Sequence, residues 1–331
     1  MQRRPFMLTV FALAAATAGC ASAPPMTPAT LRVNVFPGSS NLPLLAAINQ
    51  GFMARRNLSI EIQNTPNSDD QRNGLAAGRF EIAHAAVDNA LAMVEVAKHD
   101  VAIVSGGDAS MNEFMVRPEI GSIADLRGKT LAVDAPNTVY ALVAKKILKN
   151  NGLIEGRDYQ IGLAGGTASR SAAMAGDPRL AAGMVNPPFS ITTRERGLKS
   201  LGNQFSFIGP YQATGAFVMR NWATANRSVL ERYLAAYIEG QRYAMNPANR
   251  AQMIKLLADR FKLAPAVAEG TYQALLTAGS GLATDARLNL EGFMTVLALR
   301  AEMEGMWSGK PPAPDKYLDL SYYERALRQA Q

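Results

Sequence analysis

Residues 31–62 read LRVNVFPGSSNLPLLAAINQGFMARRNLSIEI and contain the first strand–helix–strand pattern of the chain. Leu31–Val35 and Leu58–Ile62 alternate apolar and polar residues, which predicts two β-strands. Between them a Gly/Ser loop leads to Pro43, and proline is favoured at the first position of a helix. We therefore expect a helix from Pro43 to about Arg56. A strand, a crossover helix and a second strand form the unit from which parallel sheets are built.

The same alternation of strands and helices continues along the chain and predicts two α/β lobes followed by a helical tail. Each lobe is expected to be a mainly parallel sheet flanked by helices. We expect further strands at residues 80–83, 101–104, 131–133, 159–163, 180–184, 199–201, 205–208 and 216–219. We expect further helices at residues 69–77, 88–98, 138–152, 167–176, 189–196, 228–245, 249–261, 265–276 and 288–306. Asp88, Asn137 or Thr138, and Thr167 are candidate N-caps.

Composition excludes several classes of function. The chain has 331 residues and is 48% hydrophobic, which predicts a folded protein. It carries a net charge of +7, but it has no runs of Lys or Arg interleaved with aromatic residues, so we expect no nucleic-acid partner. One Cys and two His are too few for a structural zinc site, and one Cys excludes an intramolecular disulfide. No dinucleotide fingerprint, phosphate loop or nucleophile elbow occurs in the sequence. We expect no metal and no cofactor.

The N-terminus reads as an export signal. Arg3 and Arg4 precede the charge-free run Phe6–Ala18, which at 13 residues is too short to span a bilayer core of ~30 Å. Residues 17–20 read TAGC and resemble the lipobox that precedes a lipidated Cys20, although Thr17 stands where Leu is usual. Cleavage after the A-x-A pattern at residues 21–23 is the alternative, followed by ordinary secretion. The Arg pair also resembles a twin-arginine signal, which leaves the export route open.

Two stretches carry a resemblance to a known family. LAAGRFEIA (residues 75–83) resembles the pattern "aLaaGefDia", and IADLRGKTLAV (residues 123–133) resembles "sladLkGKkiav". The Asn-Leu-Pro-Leu to Gly-Phe segment (residues 41–52) and Pro187 stand where the same family has them. The chain thus resembles type II periplasmic binding proteins, in the branch that binds nitrate, sulfonates, taurine and thiamine-precursor pyrimidines. The resemblance runs from about residue 31 to 325.

The resemblance implies a domain plan. Residues 1–19 are the signal peptide and residues 20–30 a lipidated, Pro-rich tether. Residues 31–112 and 215–331 form the first lobe with its C-terminal helices, and residues 113–214 form the second. The chain is expected to cross between lobes near residues 111–115 and 210–216.

The resemblance also implies a function. We expect an extracytoplasmic solute-binding lipoprotein of an ABC importer, monomeric and not an enzyme. It would capture a small polar organic or anionic solute between two lobes that close about a hinge. A permease in the inner membrane would recognise the closed form. It would reside in the periplasm or cell envelope, anchored to a membrane through its lipid. A ligand-sensing envelope protein that signals to a membrane partner is the alternative, and a lipid-anchored enzyme is a third reading.

Ligands of open α/β sheets bind beyond the carboxyl ends of the strands, where helix N-termini offer unpaired N–H groups. This rule selects polar residues in the loops after the strands, together with weaker candidates from the crossing region. The candidate ligand-binding residues are Ser39, Ser40, Asn41, Asp88, Asn89, Asn112, Asn137, Thr138, Gly166, Thr167, Asn186 and Tyr211.

Four side chains near these loops have two readings each. Arg170 is the candidate partner of an anionic ligand or else a solvated helix residue, and Tyr140 either stacks on a ligand ring or belongs to the core. Helix N-termini favour an anion. Asp88 and Asp108, if they line the cleft, would repel an anion or select an amine.

Overall fold

The computed structural model describes residues 26–330, so the predicted signal peptide and Cys20 lie outside the described residues. It contains two five-stranded sheets. The strands are β1 (Ala29–Val35), β2 (Leu58–Asn64), β3 (Ile82–Ala86), β4 (Val101–Gly106), β5 (Glu113–Val116), β6 (Lys129–Val133), β7 (Tyr159–Leu163), β8 (Leu180–Val185), β9 (Lys199–Asn203) and β10 (Thr214–Met219). The α-helices are α1 (Leu42–Asn49), α2 (Ser68–Ala76), α3 (Val87–Glu95), α4 (Val139–Asn150), α5 (Thr167–Gly176), α6 (Phe189–Glu195), α7 (Gln204–Ile208), α8 (Arg220–Ala225), α9 (Arg227–Met245), α10 (Arg250–Phe261), α11 (Pro265–Leu275), α12 (Leu290–Glu304) and α13 (Ser321–Gln329).

The two sheets repeat one design. The first has the order β2-β1-β3-β10-β4 and the second β7-β6-β8-β5-β9. In the first, β1 runs parallel to β2 and β3, and β10 is inserted antiparallel between β3 and β4. In the second, β6 runs parallel to β7 and β8, and β5 lies antiparallel between β8 and β9. The predicted two-lobed α/β fold with a helical tail is confirmed.

The chain passes from the first sheet to the second between β4 and β5, and returns between β9 and β10. The two connections lie side by side, because the Asp108 carbonyl accepts hydrogen bonds from the backbone N–H groups of Ala213 and Thr214, at 3.0 and 3.2 Å. The Asp108 N–H in turn donates to Thr214 Oγ1, at 3.0 Å. Adjacent connections of this kind let two bodies rotate about one line.

Helices cover the first sheet and join it to the second. One core cluster packs β1 and β10 against α1, α9 and α13, with Val33, Ala216 and Tyr233 buried in it. A second cluster contains residues of both sheets, Phe217 from the first and Phe114 from the second, together with Phe293 of α12. The C-terminal helices therefore contribute to the contact between the lobes.

Several expected elements differ in the structure. The first helix ends at Asn49 instead of Arg56, since Gly51 adopts a φ of 71° that ends the helix. Residues 205–208 were expected to be extended, but Asn203 accepts a hydrogen bond from the Ser206 N–H and caps the short helix α7. Strand β5 forms within the segment expected to cross between the lobes.

Two predicted N-caps are wrong. The cap of α3 is Ala86 and that of α5 is Gly166, so Asp88 and Thr167 lie inside their helices. Thr138 occupies the cap position of α4, but its hydroxyl bonds to the Ala135 carbonyl and not to a helix N–H.

Candidate functional site

A cavity lies between the two sheets, at the carboxyl ends of β1, β3, β6 and β8. It encloses about 760 Å³ of empty space, part of which is continuous with solvent. Its walls come from both lobes and include the N-terminal residues of α4 and α5. The lining residues are Phe36, Pro37, Gly38, Ser40, Asn41, Ser68, His84, Ala85, Ala86, Asn89, Asp134, Thr138, Val139, Tyr140, Gly166, Thr167, Arg170, Asn186, Thr214 and Tyr237.

More than half of the predicted ligand-binding residues line this cavity. They share a position directly after a strand or at the start of a helix, which is where the rule for open sheets placed them. They are Ser40, Asn41, Asn89, Thr138, Gly166, Thr167 and Asn186. Tyr140, the candidate for ring stacking, also lines it. Their role in binding stays a prediction.

The other five predicted residues do not line the cavity. Ser39 donates to the Pro187 carbonyl at 2.7 Å, and Asn112 Nδ2 donates to Ser110 Oγ at 2.9 Å. The Tyr211 side chain is buried, and its hydroxyl has no hydrogen-bond partner among residues 26–330. The remaining two, Asp88 and Asn137, belong to an ion-pair cluster around Arg300.

Arg300 of α12 accounts for the position of Asp88. Its Nε and Nη2 donate to the two Asp88 carboxylate oxygens at 2.5 and 2.9 Å, and both side chains are 1% exposed. Nη2 also donates to the Asn137 carbonyl at 2.9 Å, and Nη1 pairs with Glu304 at 2.5 Å. Although burial by itself lowers the pKa of Arg300, the attraction of Asp88 and Glu304 outweighs it and raises that pKa. Asp88 is thus held by a cation of the protein.

Hydrogen bonds connect the two lobes around the cavity. Asp134, directly after β6, accepts from the Ser68 hydroxyl at 2.6 Å and from the Ser68 N–H at 3.1 Å. The Gly166 N–H donates to the Pro66 carbonyl at 3.1 Å. On the outer surface, Lys146 and Lys149 of α4 pair with Glu302 of α12. The lobes therefore touch on more than one side of the cavity.

Arg170 is buried and not solvated. It is 1% exposed, and it donates to the Gly165 carbonyl at 2.7 Å and to Thr167 Oγ1 at 3.2 Å. Two more of its hydrogen bonds reach the Met184 carbonyl, at 3.0 and 2.7 Å. Burial lowers its pKa to about 10. Among the described residues no carboxylate lies within ion-pair distance of it, so its positive charge belongs to the cavity wall without an ion-pair partner.

Two further titratable groups lie at the cavity or beside it. His84 lines it and shares a hydrogen bond of 2.8 Å with the Tyr233 hydroxyl, and burial lowers its pKa to about 3. Asp108, next to the lining residue Thr214, has a pKa raised to about 6 by burial. His84 is therefore neutral at pH 7.

Sequence reasoning missed several lining residues. Asp134 was predictable from the rule for open sheets, because it is a polar residue immediately after Val133, the last residue of β6. Phe36 likewise follows β1. Tyr237 comes from α9, far along the chain, and nothing in its local sequence places it at the cavity.

Residues 26–330 contain neither a candidate metal cluster nor a candidate membrane-spanning helix. No cluster of three or more His, Cys, Asp or Glu side chains is arranged there to hold a metal ion. None of the helices in that range is long and apolar enough to cross a membrane.

Comparison with known proteins gives one family match and several structures of the same fold. A family model described as "NMT1/THI5 like" matches residues 39–251. A search of curated proteins found no match. A protein from Bordetella bronchiseptica RB50 has a TM-score of 0.77 at 19% identity, covering 91% of this chain and 97% of its own.

Two further solved structures have named ligands. The periplasmic nitrate-binding protein NrtA from Synechocystis PCC 6803 has a TM-score of 0.75 at 13% identity, covering 92% of this chain and 89% of its own. The alkanesulfonate-binding protein SsuA from Xanthomonas axonopodis pv. citri, solved with bound MOPS, has a TM-score of 0.66 at 20% identity, covering 91% of this chain and 99% of its own. At these identities the likeness shows the fold alone.

Proposed function

Since the chain belongs to the NMT1/THI5-like family, we propose that it is the solute-binding lipoprotein of an ABC importer. It captures a small polar organic or anionic solute in the cavity between its lobes and catalyses no reaction. The observation that carries the proposal is the cavity itself, which polar residues of both lobes line and which contacts between the lobes border on more than one side. A cavity built in this way binds most tightly when the lobes are closed.

Hinge closure is the proposed mechanism. The connections β4–β5 and β9–β10 are the hinge, with residues 31–112 and 215–331 on one side and residues 113–214 on the other. A solute that touches both lobes adds contacts only in the closed form and shifts the population towards it. The permease partner would then recognise the closed surface, which includes the pairs formed by Glu302 with Lys146 and Lys149.

Helix N-termini support an anionic or strongly polar solute. The first N–H groups of α4 and α5 have no partner within their helices, and Thr138, Gly166 and Thr167 line the cavity at these ends. The positive end of each helix dipole adds to the charge of Arg170 at the cavity wall. Asp134 opposes them, which favours a solute with more than one kind of polar group.

The test is a thermal-shift screen of the purified protein against sulfonates, carboxylates, nitrate, bicarbonate, pyrimidines and amines. A solute at 100 times its dissociation constant adds about 2.7 kcal/mol of stability, a shift of several degrees for most proteins. One solute class that shifts the melting temperature supports the proposal. A protein that no member of the panel stabilises, but that binds a signalling partner, would instead be the sensor considered above.

Lipid anchoring is tested separately. Cys20→Ala should release the protein from membranes into the soluble envelope fraction, because a diacylated cysteine is the proposed anchor. Retention of the variant in the membrane fraction would contradict the lipoprotein assignment and leave the solute-binding proposal unchanged.

A further inference from the structure

The hydrogen-bond direction of one cavity wall restricts the solute further. Asp134, Ser68, Asn89, Gln71 and Asn34 form one continuous chain of hydrogen bonds that begins at the lobe contact and ends in the first sheet. Ser68 and Asn89 line the cavity with Asp134, while Gln71 and Asn34 are buried behind them. Amide groups can donate or accept, so the direction of this chain decides what the wall presents to a solute.

Asp134 fixes that direction. A carboxylate only accepts, so the Ser68 hydroxyl donates to it, at 2.6 Å. The Ser68 oxygen must then accept from its other neighbour, which is Asn89 Nδ2, in a long contact of 3.5 Å. The same Nδ2 donates to Gln71 Oε1 at 3.2 Å. Gln71 Nε2 continues the chain to Asn34 Oδ1, at 2.8 Å.

This arrangement leaves acceptors for the solute. Both N–H groups of Asn89 point to protein oxygens, and its Oδ1 has no partner among residues 26–330, although the side chain lines the cavity. Asp134 uses Oδ2 for both of its bonds with Ser68, and Oδ1 has none among the same residues. When a bound solute displaces water from these two oxygens, leaving them without a donor is costly.

The guanidinium group of Arg170, which would favour an oxyanion, makes its hydrogen bonds to protein oxygens. Arg170 donates four hydrogen bonds, to the Gly165 and Met184 carbonyls and to Thr167 Oγ1. It thus supplies charge and not an open bidentate fork. Its charge is opposed by that of Asp134 on the cavity wall, so a solute that carries only negative charge meets a carboxylate.

We propose that this wall selects solutes that carry N–H donors, such as an amine or an amide, over oxyanions of similar size without them. Asn89 is the specificity-determining residue, and Asp134 is the residue that orients it through Ser68. The preference exists in the closed form, since Asp134 and Ser68 belong to opposite lobes. The inference rests on the proposed solute-binding function.

The experiment uses pairs of solutes that differ in the nitrogen group. The pairs are taurine and ethanesulfonate, 4-aminobenzoate and benzoate, and benzamide and methyl benzoate, with nitrate as a small oxyanion. Dissociation constants are measured by calorimetry on the purified protein. For at least one pair we expect the N–H member to bind about tenfold more tightly, the usual effect of giving a hydrogen-bond donor to one acceptor that the solute has desolvated.

Two variants test whether the preference for N–H donors comes from Asn89 and Asp134. Asn89→Ala removes the acceptor and should reduce the ratio of the two dissociation constants to less than about threefold. Asp134→Asn keeps the shape but allows the chain to reverse, and it should also reduce the ratio. If Asn89→Ala fails to fold, Asp134→Asn decides. Asn49→Ala, on the exposed end of α1, is the matched control and should leave both constants unchanged.

The outcomes separate the two proposals. If, in every pair that binds, the member without N–H groups binds as tightly as its partner or more tightly, the inference is overturned and the solute-binding function stands. The same holds if nitrate binds more tightly than every solute with an N–H group. A preference that survives in both variants would also overturn it, since the selectivity would then come from another wall. If no solute of the pairs or of the wider panel binds, both proposals are contradicted.

Discussion

Replacement of Arg300 by Met tests whether Asp88 is a structural residue or a ligand contact. The change removes the cation that holds a carboxylate which is 1% exposed. Breaking a buried pair by removing one partner costs about 3–5 kcal/mol, because the remaining charge is left without compensation. That is a large part of a typical unfolding free energy of about 5–15 kcal/mol.

The opposite replacement should cost less. In Asp88→Ala, Arg300 keeps its pair with Glu304 at 2.5 Å and its bond to the Asn137 carbonyl at 2.9 Å. We expect a loss of about 1–3 kcal/mol, the cost of removing one partner from a hydrogen-bonded charge. The double variant Asp88→Leu with Arg300→Met should recover part of the loss, since apolar residues can replace a buried pair.

Urea unfolding followed by circular dichroism measures these free energies, and calorimetry with an identified solute measures binding. Lys255→Met is the matched control, because Lys255 pairs with Asp259 on the surface of α10, where such pairs contribute about 0.3–0.5 kcal/mol. If Asp88→Ala abolishes solute binding and leaves the unfolding free energy unchanged, Asp88 is a ligand contact and the structural assignment is wrong.

Three further predictions concern pH and packing. The pKa of His84 is about 3 in the folded protein, below its unfolded value of about 6.5. The stability that the neutral, buried His84 contributes is therefore complete above about pH 6.5 and is lost as the pH falls towards 3. In His84→Gln, the unfolding free energy measured against pH should no longer show this loss. The pKa of Asp108 is raised to about 6, so its contribution to stability is present below about pH 4 and is lost as the pH rises through 6. Asp108→Asn should flatten the dependence of the unfolding free energy on pH in this range. An unchanged dependence would show that another group titrates there. Gly240→Ala should destabilise the protein by roughly 1–3 kcal/mol in urea despite the better helix propensity of alanine, because its Cβ would lie 2.3 Å from the Pro43 carbonyl oxygen; Gly176→Ala, which meets nothing within 4 Å, is the control and should cost almost nothing.

Local sequence was sufficient for most elements and for the edge at which the cavity opens. Alternation of period two predicts β1 and β2, and polar residues after strands predict Asn89 and Asn186 at the cavity, because these signals depend on neighbours a few residues away. The short helix α7 was missed even though its cap, Asn203, is local. A segment this short carries too little apolar periodicity to distinguish helix from strand.

The roles of the charged residues depend on contacts between distant parts of the chain. Asp88 stands at the start of a helix, and its sequence neighbourhood suits a ligand contact as well as an ion pair. Its partner Arg300 lies 212 positions later and reaches it only because α12 packs against both lobes. Arg170 has a surface-like sequence context, yet it is buried against carbonyls of its own lobe. Local sequence was thus enough to predict most of the order of strands and helices and the sheet edge at which the site lies, since backbone preferences are local. Which charges face the solute depended on long-range packing, because the partner that neutralises a buried charge can come from any part of the chain.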